Sequence, residues 1–242
     1  MQLTVVIPTY NEAENLPKLV SALFELPIRD LCLLIVDDNS PDGTGQLAEC
    51  LAQEHPERIS VLHRTGKLGL GTAYIEGFRI ALANGAQAVA QMDADFSHPP
   101  EKLAELLEAL EYFDIVTGSR YVSGGAVDER WPLWRKGLSA FGNLYARTIL
   151  HLPLRDATGG FRLWRRAALE SMPLERIHSN GYAFLVETAY LAHLLGFTFR
   201  EIPIYFADRR WGKSKMSFRI QLESAIRVWQ MLLEYRDLST HA

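Results

Sequence analysis

Cysteine is nearly absent from this chain of 242 residues, which has Cys32 and Cys50 and no others. Neither has metal-ligand spacing, so both read as core or half-buried thiols in a reducing cytoplasm. A surplus of positive charge is missing too. Lys and Arg total 25 against 29 Asp and Glu, a net charge of −4. That excludes a general nucleic-acid binder, which needs a basic excess to displace counterions from phosphates. No run approaches the ~20 apolar residues of a membrane span; the most apolar later stretch, residues 183–197, contains Glu187 and His193. The short apolar run at the start has no basic segment before it, unlike a secretory signal. The chain is therefore expected to be soluble or peripheral to a membrane. Neither a P-loop nor a complete dinucleotide fingerprint occurs. The seven histidines lack ligand spacing, nothing resembles a Ser-His-Asp or Cys-His set, and there is no internal repeat.

Apolar residues make up 48% of the chain, enough for a sizeable core. Residues 3–7 form a short β-branched apolar run, and 31–36, 59–62, 88–92 and 114–118 give four more strand-like segments. Helical spacings lie between them. Asn15 precedes a helix with Pro17 in its first turn, where a missing N–H is harmless, and is expected to cap it. Leu16, Leu19, Val20 and Leu23 make that helix's buried stripe. Further helices are expected over 43–53, through Ile75, Phe78 and Leu82 to a stop at Gly85, and through Leu103, Leu106, Leu107 and Leu110. Strands alternating with helices predict an α/β fold, a mostly parallel doubly wound sheet with helices on both faces. After Tyr121 the pattern changes. A Gly-rich loop over 122–132 leads to helices over 133–150 and 181–195, a strand over 197–204, a basic loop over 208–215 and a C-terminal amphipathic helix over 218–235.

Ligands in such sheets bind beyond the carboxyl ends of the strands, and three of those ends are acidic. Asp93 and Asp95 alternate as the chain leaves its fourth strand and can aim two carboxylates at one hard cation, Mg2+ or Mn2+. Such an ion would neutralise charge on a departing diphosphate. Asp37 and Asp38 end the second strand, Asp37 as the structural member and Asp38 as a candidate for a nucleobase or ribose; an Asx turn is the alternative. Pro8, Tyr10 and Glu12 leave the first strand as a base-binding edge or as a rigid turn. Lys67 to Gly71 allows close backbone approach to a ligand, or a helix-entry turn. Arg120, Arg155, Arg209, Arg210 and Lys215 form the cationic set. Arg grips phosphate bidentately and Lys acts as a point charge; the glycines after Thr158 can present N–H groups to an anion. Trp131, Trp134, Trp164 and Trp229 read as core, with lipid contact as the alternative.

Val-Ile-Pro-Thr-Tyr-Asn-Glu, Val-Asp-Asp-Asn-Ser, Lys-Leu-Gly-Leu-Gly-Thr-Ala-Tyr, Met-Asp-Ala-Asp-Phe-Ser-His-Pro-Pro, Gly-Ser-Arg-Tyr and Asp-Arg-x-x-Gly-x-Ser-Lys occur in that order. Together, from Leu3 to Met216, they resemble the dolichyl-phosphate (polyprenyl-phosphate) mannose synthases, inverting family-2 glycosyltransferases of GT-A fold. The resemblance implies a catalytic domain over 1–216, with a nucleotide-sugar half (1–121) and an acceptor half (122–216), followed by an amphipathic helix and tail (217–242). It implies that Pro8, Tyr10, Glu12, Val36 and Asp38 hold the nucleoside of a GDP-sugar. Asp93, Ala94 and Asp95 would line the diphosphate, with Asp93, Asp95 and Ser97 as metal ligands for Mg2+ or Mn2+. Arg120 would sit between donor and acceptor phosphates, Arg209 and Lys215 would cover the donor, and Arg155, Thr158 and Gly159 would receive the phosphate of a polyprenyl phosphate acceptor. Asp95 and Arg120 are the catalytic pair it implies. Many relatives carry C-terminal membrane spans; here one amphipathic helix is expected to meet a membrane surface or a membrane-protein partner at the cytoplasmic face. No nucleic acid is expected. An acceptor phosphate oxygen is ionised at neutral pH, so direct displacement with inversion requires no general base. Another donor such as UDP-glucose, a nucleotidyltransferase and an inactive nucleotide-sugar sensor are the alternative readings.

Overall fold

A computed structural model describes residues 1–208 and 218–238, with the backbone alone for 218–224. The first half alternates as expected: β1 (Leu3–Thr9), α1 (Leu16–Phe24), β2 (Leu31–Asp37), α2 (Thr44–Glu54), β3 (Ile59–His63), α3 (Leu70–Ala83), β4 (Ala88–Gln91), α4 (Leu103–Ala109) and β5 (Ile115–Ser119). The second half comprises β6 (Ala126–Val127), α5 (Leu133–Ile149), β7 (Arg162–Arg165), α6 (Arg166–Ser171), α7 (Gly181–Leu194), β8 (Phe199–Pro203), β9 (Tyr205–Phe206) and α8 (Phe218–Glu234).

The main sheet has seven strands in the order β3-β2-β1-β4-β7-β5-β8, and β6 pairs with β9 beside it. All its pairings are parallel except those of β7, which runs antiparallel to both β4 and β5. The order reverses between β1 and β4, so the switch point of the sheet lies where Thr9 and Gln91 end adjacent strands. Side chains alternate across the strands: Val5 and Ile7 enter the core beneath α1 and α4, while Val6 enters the core beneath α3 and α7. The predicted stripe of Leu16, Leu19, Val20 and Leu23 is the buried face of α1.

One local expectation fails, and two elements were not foreseen. Asn15 occupies the N-cap position of α1 but makes no capping bond. Its amide donates to Glu12 Oε2 at 2.8 Å instead, because the Glu12 carboxylate folds back over the same turn. β7 and α6 have no counterpart in the sequence pattern, since β7 is four residues long and begins and ends in Arg. Arg162 is fully buried all the same, bonded to Thr117 Oγ1 and Thr188 Oγ1 and to the Leu185 carbonyl. Burial lowers its guanidinium to about 10, against the opposing pull of Asp156 and Glu201.

The apolar stretch at 183–197 becomes α7, in which every residue from Ala183 to Ala192 is buried. It is a core helix, as an all-round apolar surface requires. Among the described residues no helix is long and apolar enough to cross a membrane. The one acid in that buried run, Glu187, holds α8: Arg227 Nη2 and the Tyr235 hydroxyl meet its Oε1 at 2.6 and 2.7 Å, and Ser179 N–H donates to Oε2 at 3.0 Å.

α3 lies close on the sheet. A Cβ at Gly77 would stand 2.4 Å from Val6 Cγ1, nearer than any real contact. Gly77→Ala should therefore cost about 1–3 kcal/mol by overpacking, read from urea denaturation. Unchanged stability would show that α3 can lift from β1 freely.

Candidate active site

One cavity of about 350 Å3 opens beyond the carboxyl ends of β1, β2 and β4. Pro8, Tyr10 and Glu12 line it from β1, Asp38 from β2, Asp93, Ala94 and Asp95 from β4, and Arg120 from β5. Thr158, Arg135 and Tyr182 face them from the second half of the chain. The topology explains this gathering: parallel strands all deliver their last residues to one edge. The turns are bent hard to do so. Asn11, Asn39 and Phe96 follow β1, β2 and β4 with φ of 63°, 57° and 60°. This left-handed conformation is unusual for a bulky residue such as Phe96, and strain of this kind, about 1–3 kcal/mol, gathers at functional sites.

At the β2 end the two aspartates divide as their chemistry suggests. Asp37 is structural: its carboxylate accepts from Thr9 Oγ1 at 3.0 Å, Ser40 Oγ at 2.6 Å and Ser40 N–H at 3.1 Å. Asp38 pairs with Arg64 at 2.6 Å. Burial raises the Asp38 carboxyl above its usual range, and Arg64 opposes that shift. Arg64 is buried, bonded also to the Gly69 carbonyl, and does not line the cavity, so it holds in place the Asp38 carboxylate that does. Lys67 lies 3.9 Å from the centre of the Tyr10 ring on the same side.

At the β4 end, Ser97 donates to Asp95 Oδ1 from its hydroxyl at 2.6 Å and from its N–H at 3.0 Å. Ser97 is 1% exposed and does not line the cavity, so it stands as an orienting partner of Asp95 rather than among residues facing the pocket. Asp93 N–H donates to His98 Nδ1 at 3.1 Å. That bond leaves Nδ1 unprotonated and the proton of the neutral ring on Nε2. Burial depresses the imidazole pKa despite the nearby Asp93 and Asp95 carboxylates. Among the described residues no group of three or more His, Cys, Asp or Glu side chains converges as a metal cage. Two carboxylates facing an open cavity instead suit Mg2+ or Mn2+, which take one or two protein oxygens and fill their shell with phosphates and water.

Arg120 is 6% exposed and forms a fork with Asp156, Nε to Oδ2 at 2.7 Å and Nη2 to Oδ1 at 2.6 Å. Its Nη2 also donates to Thr158 Oγ1 at 2.8 Å. Burial alone would lower the guanidinium pKa; the fully buried Asp156 carboxylate outweighs it, and the net shift is upward. Arg155, the neighbour singled out from sequence, is exposed and does not line the cavity. Glu201 explains the difference. Its carboxylate takes the N–H groups of Arg155 and Asp156 at 2.8 and 2.9 Å, and this turn sends Asp156 inward. Val36 is buried in the core and Gly159 lies one residue short of the lining Gly160. Arg209, Arg210 and Lys215 lie outside the described residues.

Sequence reasoning missed three participants. Arg64 follows β3, and the strand-end rule could have marked it. Arg135 lies 3.6 Å from the Trp131 ring centre and 3.2 Å from Asp208, within the cavity wall; its sequence neighbours, Trp134 and Lys136, gave it no distinction. Asp156 had no signal beyond being an acid beside glycines.

The chain matches the model of glycosyl transferase family 2 over residues 4–172. It belongs to that family. Among curated family-2 relatives it is 46% identical over 214 residues to polyprenol monophosphomannose synthase of Mycolicibacterium smegmatis, covering 88% of this chain and 80% of the relative. It is 44% identical over 241 residues to undecaprenyl-phosphate mannosyltransferase of Micrococcus luteus, covering 98% of each. Among solved structures, a mannosyltransferase from Pyrobaculum calidifontis in complex with GDP-Man and Mn2+ superposes with a TM-score of 0.65 at 18% identity, over 98% of this chain and 68% of that one. The fold of this family-2 member is therefore GT-A, as its motifs implied.

Removing one partner of a buried ion pair strands the other. Asp156→Asn should lose about 3–5 kcal/mol of stability, measured by denaturant titration. Wild-type stability in that variant would show that Arg120 is held without the Asp156 charge.

Proposed function

We propose that this protein transfers mannose from GDP-mannose to a polyprenyl monophosphate with inversion, yielding polyprenyl phosphate mannose. The observation that carries the reading is one cavity lined by Asp93 and Asp95 together with Arg120 and Arg135. Anionic donor and anionic acceptor need that division: acidic side chains that recruit a cation, and cations that receive a phosphate. The names of the two curated relatives, similar over most of the chain, supply the lipid phosphate and the mannose.

The roles follow from the geometry. Asp38, held by Arg64, would read the base edge, with Tyr10, Lys67 and Glu12 beside it. Asp93 and Asp95 would hold Mg2+ or Mn2+, which when bound offsets charge on the diphosphate. Arg120, aimed by Asp156, and Arg135 would hold the acceptor phosphate, with Thr158 Oγ1 beside them. One acceptor oxygen, already ionised, bonds to the anomeric carbon as the bond from that carbon to the diphosphate oxygen breaks, and GDP departs with the electron pair. No general base enters, and the neutral His98 is consistent with that. Catalysis then rests on positioning and fixed charge.

We place the protein at the cytoplasmic face of a membrane, with α5 and α8 against the lipid. Only Asn143 and Ala146 of the 17 residues in α5 are buried, whereas Leu133, Trp134, Phe141 and Leu144 are exposed. Trp229 and Leu233 of α8 are exposed too. The Trp229 indole donates to the Tyr145 hydroxyl at 2.9 Å, so the two helices share one apolar face. Lys136 and Arg147 of α5 would meet anionic headgroups.

Two measurements test the reading. In a panel of GDP- and UDP-sugars with a polyprenyl phosphate acceptor, GDP-mannose should be the donor turned over, and Asp95→Ala should lose several orders of magnitude in rate while staying folded, about 10²-fold per lost charge contact being common. Preference for a UDP-sugar moves the function to another polyprenyl-phosphate glycosyltransferase. In flotation with anionic vesicles, the double variant Trp134→Ala/Phe141→Ala should bind at least about tenfold more weakly, since burying one large side chain is worth about 1.5–3 kcal/mol. Equal flotation argues against contact through α5.

A further inference from the structure

The Lys67–Tyr74 segment is conspicuous in sequence, yet only its first part is used by the nucleotide roles above. Its glycines are packed against protein. A Cβ on Gly71 would lie 2.5 Å from the Ser179 carbonyl oxygen and 3.0 Å from the Phe184 ring. Gly69, at φ +105°, would place one 2.7 Å from Asn180 Oδ1. Both therefore let the start of α3 press against the segment that begins α7.

That seating fixes Tyr74. Its ring is fully buried and stacked between Phe78 and Phe184, with centroids 5.9 Å away on each side and interplanar angles of 27° and 4°. Its hydroxyl emerges at the cavity wall and donates to Asp93 Oδ1 at 3.3 Å. Among the described residues this hydroxyl is the one hydrogen-bond partner of the Asp93 carboxylate, while His98 secures the Asp93 main chain.

We propose that Tyr74 is a positioning residue for the metal-binding carboxylate Asp93, and that the glycines of its motif serve to deliver its hydroxyl there. This rests on the metal role of Asp93 and Asp95 proposed above. A ligand carboxylate whose rotamer is fixed by an outer hydrogen bond binds metal more tightly, and loss of such a partner commonly costs 10–100-fold in affinity. Tyr74 would act through Asp93 alone, without touching the sugar or either phosphate.

Tyr74→Phe keeps the ring, its stacking and its burial and removes one oxygen. The test titrates Mn2+ into wild-type and variant protein with saturating GDP, following free Mn2+ by electron paramagnetic resonance. The variant should bind Mn2+ about tenfold or more weakly, with unchanged circular dichroism and unchanged GDP affinity in chelator. Raising Mn2+ should restore its turnover, so that the metal requirement shifts while kcat at saturation recovers. A variant that binds Mn2+ within twofold of wild type overturns the inference alone. Wild-type protein that takes up no Mn2+ with GDP overturns the metal reading and this inference together.

Discussion

The site depends on the buried ion pair between Arg120 and Asp156. Arg120 leaves β5 in the first half of the chain, and Asp156 belongs to the second. Glu201, on β8, orients Asp156 through two backbone N–H groups; Arg120 continues to Thr158, and Thr158 to Asn143 of α5 at 3.0 Å. One hydrogen-bonded path therefore joins sheet, turn and helix around a single guanidinium. Such a pair is a weak source of net stability, because both charges lose water. Its value here is geometric. A fork of two bonds under 3 Å leaves the guanidinium plane little freedom, and the cation faces the cavity in one orientation before any anion arrives. That is preorganisation of the kind that makes fixed charge effective.

The opposing half of the site follows from topology. With β1 and β4 adjacent and their connections leaving in opposite directions, a crevice forms at their carboxyl ends. The residues that leave those strands cannot avoid it. Left-handed turns at Asn11, Asn39 and Phe96 then reverse the chain quickly enough for Asp38, Asp93 and Asp95 to stay near the rim. Each is held by a neighbour: Asp38 by Arg64, Asp93 by Tyr74, Asp95 by Ser97. Like-charged groups thus converge on one cavity, each fixed by its own partner.

This separation explains what was legible beforehand. The five parallel-type strands, the α1 stripe and the strand-end residues follow from periodicity and from a rule about sheets, and both are local or topological. Asp38 and Asp93 could be found because they sit where strands stop. Residues that act by orienting others were harder to see. The sequence does not say whether Arg155 or Asp156 turns inward, and the Glu201 carboxylate, 45 residues from Asp156, decides it. Ser97 has the oxygen of a ligand, but its place in the turn spends that hydroxyl on Asp95. Asn15 has the chemistry of a cap, but Glu12 claims its amide. β7 was hidden because Arg162 and Arg165 interrupt its apolar pattern, and Arg162 is tolerated in the core only because hydroxyls and carbonyls surround it. In each case a specific partner, two or three residues away for Ser97 and Asn15 and far along the chain for Asp156 and Arg162, overrides a sound local preference.

The start of α7 ties the cavity to the C-terminal helix. Its N-terminal residues Gly181 and Tyr182 line the cavity, and Ser179, just before them, abuts Gly71 of α3. Ser179 also binds Glu187 and Arg227, so the segment beside the pocket is the segment that anchors α8. α8 in turn meets α5 through Tyr145, which accepts from the Trp229 indole and donates to the Ala225 carbonyl at 3.2 Å. The apolar face and the cavity wall are thus built on the same few contacts. A lipid whose tail lies along α5 and α8 would have its phosphate near Arg135, on the first turn of α5 and already in the cavity wall. Hydrophobic contact would then fix the depth of the tail, and the paired arginines the place of the phosphate. On the proposed reading the acceptor would need no deep lipid pocket, only a rigid connection between an exposed apolar helix and a buried cation, and the hydrogen bonds from Asn143 and Arg120 to Thr158 supply one.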